Sequence, residues 1–111
     1  MKHEMRLHEG PFNLIKDGTK TIELRLFDEK RQLIQVGDEI EFTNRVNDEK
    51  ILTKVIALHI YSCFEDLYRD YDKISLGYKV DEDANPKDME IYYSKEEQSK
   101  YGVVGIEIQL M

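Results

Sequence analysis

The densest run of chemistry-bearing side chains is Gly18-Thr19-Lys20-Thr21-Ile22-Glu23-Leu24-Arg25. Polar and apolar residues alternate from Thr21 onward, the period of a strand, so Thr21, Glu23 and Arg25 form one row spaced roughly 6.5 Å apart with Lys20 at its head. A hydroxyl, a carboxylate and two cations in one row suit a nucleotide: Lys20 and Arg25 can hold a phosphate while Glu23 accepts from a base or sugar. The same spacing equally suits a Glu23 to Arg25 ion pair on a solvated strand face, and spacing alone leaves both readings open. If the first reading holds, Lys20→Ala and Arg25→Ala weaken ligand binding with little change in melting temperature.

These residues need elements to position them. Residues 3 to 8 alternate, with His3, Met5 and Leu7 on one side, and predict a first strand. Gly10 and Pro11 open a helix of about two turns, which Gly18 ends before the polar row. After the row, Asp28 to Arg31 reads as a polar connection, and Val36-Gly37-Asp38 turns into a strand carrying Ile40 and Phe42. Asn47-Asp48 makes a hairpin turn into residues 51–61, where apolar residues at both parities predict a strand covered on both faces. Ser62-Cys63-Phe64-Glu65 has the spacing of a capping box and leads an amphipathic helix with Phe64, Leu67, Tyr68 and Tyr71 on one stripe. Asn85-Pro86 opens another helix, Ser94 to Glu97 forms a second box, Gly102 stops it, and Val104, Ile106, Ile108 and Leu110 alternate in a last strand. The order is β α β β β α α β. This predicts a mixed α/β (α+β) fold, a small barrel of about five strands with flanking short helices, and an open α+β sheet as the alternative.

Length and charge narrow the function. The 111 residues fit one domain, 1–111, with enough core to fold unaided. The lone Cys63 and the polar start at Lys2, His3 and Glu4 suggest a reducing, cytoplasmic setting, with no membrane span and no secretory leader. With 16 Lys and Arg against 23 Asp and Glu, the net charge of −7 repels polyanions, so any hold on a nucleic acid must be local. The acid is concentrated: Cys63 to Glu97 carries eleven acids and five bases, whereas Leu14 to Arg45 carries seven and six. An anion therefore belongs with the second segment, and the acidic stretch 81–97 suits an adaptor surface for a protein partner.

Among the seven tyrosines, Tyr61, Tyr92 and Tyr93 are the candidates for stacking on a base, while Tyr68 and Tyr71 lie on the core stripe. His3, His8, His59 and Cys63 have no paired ligand spacing, so no metal and no cofactor is expected. Neither a phosphate-binding loop nor a dinucleotide fingerprint nor a serine-hydrolase elbow occurs.

Gly18-x-Lys20-Thr21-x-Glu23-x-Arg25, preceded by Phe12-x-x-Ile15 and followed by Val36-Gly37-Asp38, resembles the ASCH domain, and the likeness runs on through Tyr92 to Glu97 and Tyr101 to Ile106. The resemblance implies a PUA-like β-barrel with a cleft beside it, lined by Lys20, Thr21, Glu23 and Arg25, and a ligand that is RNA or a nucleoside or nucleotide. Some relatives are amidohydrolases that deacetylate N4-acetylcytidine with a Lys-Thr-x-Thr set and a distant glutamate. By that resemblance Lys20, Thr21 and Glu23 would be the catalytic residues of an enzyme, although Glu23 stands where the second threonine belongs. Other relatives are linked to RNA cleavage, which would cast Lys20 and Glu23 as acid and base.

Overall fold

A computed structural model describes all residues, 1–111. The first alternating stretch forms β1 (Lys2–Leu7), with Met5 and Leu7 buried, and leads into the eight-residue helix α1 (Glu9–Lys16), which buries Phe12 and Ile15. Gly18 takes φ 85°, a left-handed turn that aims the chain into β2 (Ile22–Leu26). A short 3-10 turn at Arg31–Leu33 precedes β3 (Glu39–Asn44), and the turn around Asp48 returns as β4 (Lys50–Tyr61). The helix α2 (Phe64–Asp70), a 3-10 turn at Pro86–Ile91 and the helix α3 (Lys95–Tyr101) follow, and β5 (Val103–Leu110) closes the order.

The strands form one sheet in the order β1-β3-β4-β5-β2, antiparallel throughout except for the parallel pair β1 and β3. It curls into a half-barrel with short helices, as the alternation and the strand count predict. The last strand joins an early one, because β5 pairs with β2. The ends of the sheet, β1 and β2, carry no ladder between them, and that seam positions the site.

Two cores flank the sheet. The inner one holds Met5, Leu7, Phe12, Ile15, Phe42 and Ile106 among its residues, with α1 plugging the curl. The outer one packs Ile22, Leu24 and Leu26 of β2 under Phe64 and Leu67 of α2 and Leu76 beyond it. Gly105 lets α2 approach the sheet: a Cβ there would stand 3.0 Å from Ile22 and 3.3 Å from Leu67.

Strand β4 corrects one expectation. Its apolar residues at both parities come from a bulge between Val55 and Ala57, not from cover on both faces. Before it Thr53 and Val55 point inward beside Ile40 and Ile108, and after it Leu58 does so beside Ile106, so the inward parity changes by one residue. Ile56, at the bulge, and Ile60, near the strand end, stay exposed. The predicted box at Ser62 also does not form. Cys63 is the N-cap of α2 without a side-chain hydrogen bond, and Ser62 Oγ donates to Asp66 at 3.1 Å instead. The second box does form, with Ser94 and Glu97 exchanging hydrogen bonds. No helix is long and apolar enough to cross a membrane.

Candidate functional site

On β2 the polar row turns inward, opposite to a solvated face. Glu23 pairs with Ile106 and Arg25 with Val104, both in the inner core, while Ile22, Leu24 and Leu26 turn to the outer core. Because β2 ends the sheet, Glu23 and Arg25 come to rest at the unpaired seam, and Arg25 reaches across it, Nη2 donating to the Arg6 carbonyl of β1 at 3.4 Å.

Lys20, Glu23 and Arg25 meet there as a buried triad. Lys20 Nζ lies 2.8 Å from Glu23 Oε1 and Arg25 Nε donates to Glu23 Oε2 at 2.7 Å, with side chains 9%, 4% and 14% exposed for Lys20, Glu23 and Arg25. Burial pushes the Glu23 carboxyl up, but the charges and hydrogen bonds of Lys20 and Arg25 outweigh it and hold the pKa below its ordinary value. Burial likewise works against the Arg25 charge, but Glu23 together with the Tyr93 hydroxyl outweighs it and raises the pKa. The triad keeps one net positive charge.

Two expectations change as a result. Both Glu23 oxygens are taken by neighbours, so this carboxylate is not free to accept from a base or sugar. Truncating Lys20 or Arg25 would leave a buried acid short of a partner, so these variants lose stability as well as any ligand contact.

The triad nevertheless borders open space. A cleft of about 470 Å³ lies between the seam and the segment 68–93, and nine of its eighteen lining residues are hydrophobic. Four cations line it, Arg6, Lys20, Arg25 and Arg45, against the two carboxylates Glu23 and Asp88. The wall is therefore positive in a chain of net charge −7. A hollow of about 700 Å³ elsewhere, bordered by Ser62, Asn85 and Ser99, has two hydrophobic residues among eleven and lacks the apolar walls a base would need.

Of the other expected site residues, Tyr92 and Tyr93 line the cleft. Tyr92 is 57% exposed on the rim, and Tyr93 stacks on Phe64 with centroids 6.1 Å apart. Thr21 and Tyr61 do not line it. Thr21 spends its backbone N–H on the Ser75 carbonyl, and the Tyr61 hydroxyl donates to Asp70 at 2.6 Å on the outer side of the sheet. Glu65, Glu90, Glu96 and Glu97, the glutamates among which the resemblance leaves the distant catalytic glutamate unplaced, also lie outside the cleft lining. The acidic stretch 81–97 divides: Asp81, Glu82 and Asp83 are exposed, whereas Asp88, Met89 and Ile91 to Tyr93 build the cleft wall.

Sequence reasoning missed Arg6, Arg45, Gly77, Tyr78 and Asp88. Arg45 arrives through its backbone N–H, which donates to the Leu7 carbonyl at the end of β1. Gly77, at φ 104°, lets the Lys20 stem pass: a Cβ there would stand 2.9 Å from Lys20 Cδ. Tyr68 lies on the core stripe as expected, but its hydroxyl meets that of Tyr78 at 2.9 Å, and Tyr78 donates to Asp88 Oδ2 at 2.8 Å. No group of His, Cys, Asp and Glu stands together in a form that could hold a metal ion.

A sequence profile described as the ASCH domain matches residues 5–111. The crystal structure of hypothetical protein PH0355 is similar at 34% identity and TM-score 0.84, covering 100% of both chains. The solution structure of protein PF0455 from Pyrococcus furiosus is similar at 34% identity and TM-score 0.73, covering 100% of this chain and 98% of that one. No curated protein matches.

Proposed function

The chain belongs to the ASCH domain family, a PUA-like fold often linked to RNA binding, and from that premise we propose that the seam cleft binds one nucleotide unit of a single-stranded RNA or a free nucleotide. The observation that carries this reading is a positive, half-apolar cleft on an otherwise acidic protein. Arg6 and Arg45 are exposed on its rim, and Arg45 has no ion-pair partner, so they can meet a phosphate without first breaking a buried pair. Lys20 and Arg25, already sharing Glu23, supply the remaining donors of the floor. Tyr92 offers an exposed ring at the mouth.

Binding is favoured over amide hydrolysis by what surrounds the lysine. A nucleophile must stand within hydrogen-bond reach of its base, and Thr21 is outside the cleft lining while Glu23 is held as an ionised structural partner. Cytoplasmic location and the absence of any cofactor requirement belong to the same proposal.

The rim tyrosine tests it. Replacing Tyr92 by alanine removes a stacking platform worth roughly 1–3 kcal/mol, so anisotropy of a labelled single-stranded RNA should show about a fivefold to hundredfold weaker Kd. The melting temperature should stay unchanged, because Tyr92 is mostly exposed. An unaltered Kd would remove Tyr92 from the site.

A further inference from the structure

The cleft is asymmetric in hydrogen-bonding sense. Arg6, Lys20, Arg25 and Arg45 offer donors, and the oxygens of Glu23 are already engaged. That leaves Asp88 as the one lining carboxylate with an oxygen to spare: Oδ2 accepts from Tyr78, and Oδ1 has no partner. Asp88 is also held in place. It sits in the 3-10 turn Pro86–Ile91, whose first turn is fixed by the Asn85 side chain accepting from the Lys87 N–H at 3.0 Å. The Tyr68 to Tyr78 hydrogen bond anchors it from the side.

Resting on the reading of the cleft as a nucleotide site, we propose that Asp88 is a specificity-determining residue and that the preferred ligand carries guanine. An ionised carboxylate only accepts hydrogen bonds, so it is best met by two neighbouring donors on one base edge. Guanine presents that pair in N1–H and the N2 amino group. Adenine and cytosine set an amino donor beside a ring-nitrogen acceptor, and uracil flanks its single N–H with two carbonyls, so each places a lone pair against the carboxylate. The carbonyl O6 of guanine is itself an acceptor and suits the cationic side of the cleft. Burial, Tyr68 and Asp88 raise the Tyr78 pKa beyond the ordinary phenol range, so Tyr78 remains a donor and keeps Asp88 oriented.

The test is a titration of the wild-type chain and of Asp88→Asn with GMP, AMP, CMP and UMP, alongside inorganic phosphate. The expected result is GMP binding roughly tenfold to hundredfold tighter than the other three, a preference that Asp88→Asn cuts below about threefold while phosphate binding is unchanged. An asparagine keeps an acceptor for Tyr78, so the melting temperature checks that the wall is intact. A parallel arm compares the RNA pentamer UUGUU with UUUUU. A guanine preference in either arm supports the assignment, and the arm in which it occurs tells whether the source is a free nucleotide or a residue in a chain. No guanine preference in either arm, or a preference that survives Asp88→Asn, overturns the role of Asp88 while leaving the nucleotide cleft standing. No binding of any nucleotide or pentamer overturns both.

Discussion

Replacing Glu23 by glutamine should lower the melting temperature by about 10–20 °C, the largest stability effect expected from any single polar change in this chain. The side chain is 4% exposed and both of its oxygens are engaged, one by Lys20 at 2.8 Å and one by Arg25 at 2.7 Å. Glutamine keeps the shape but removes the anion, leaving two nearly buried cations facing each other, and breaking a buried pair in this way costs about 3–5 kcal/mol. The pH dependence follows from the direction of the shift. The folded-state pKa of Glu23 lies below its ordinary value of 4.5, so the stabilisation is complete above that value and is lost as pH falls through the folded-state pKa. The gap in melting temperature between wild type and Glu23→Gln should therefore narrow in acid. Sulfate or phosphate should stabilise the variant more than the wild type, since an added anion can take the place of the lost charge. Thermal unfolding between pH 3 and 7 checks all three, and a variant that melts with wild type at pH 7 contradicts the account of the triad.

The second large effect concerns binding. Changing Arg6 and Arg45 together to alanine should weaken a short single-stranded RNA by a hundredfold or more, since each hydrogen bond to a charged group contributes about 1.5–3 kcal/mol. The slope of log K against log salt should become shallower by about 1.4, the expectation for two lost phosphate contacts on a single strand. Stability should change by no more than about 0.5 kcal/mol, because both side chains are exposed and the Arg6 to Asp48 pair is long at 3.4 Å. This separates the rim from the floor. Arginines on the rim change affinity and salt dependence, whereas Lys20 and Arg25 change affinity and folding together. Affinity unchanged in the double variant would mean that the anion sits elsewhere.

The legible part of this molecule was local. Alternation over two to eight residues identified the strands, Ser94 and Glu97 gave a genuine capping box, and Glu23 and Arg25 were singled out because their spacing puts them on one face of a strand, with Lys20 just before it. The illegible part depended on partners far along the chain. Which face of β2 is inner is decided by pairing with β5, eighty residues on, so Glu23 and Arg25 turn toward the inner core although an alternating strand usually turns its polar side to water. Arg6 and Arg45 line one cleft only because β1 and the β3–β4 turn end side by side, and Asp88 joins that lining from an acidic stretch that reads, in isolation, as a solvated surface. The bulge in β4 has the same origin: one extra residue against β5 reverses parity, and a pattern of apolar residues cannot distinguish that from burial on both sides. An ion pair of Glu23 with Arg25 was visible as one of two readings, and Lys20 joins it in the structure. The structure shows that ion pair, buried and bordering a cleft rather than solvated.

The most direct test is amide chemical-shift mapping of the isotope-labelled chain during titration with the UUGUU pentamer. The account predicts saturable shifts at Arg6 to His8, Arg45, Gly77, Tyr78, Asp88, Met89 and Ile91 to Tyr93, residues that line the seam cleft. Shifts confined to the hollow at Ser62, Asn85 and Ser99, or to the exposed Asp81 to Asp83, or no saturable shift at millimolar RNA, would contradict it.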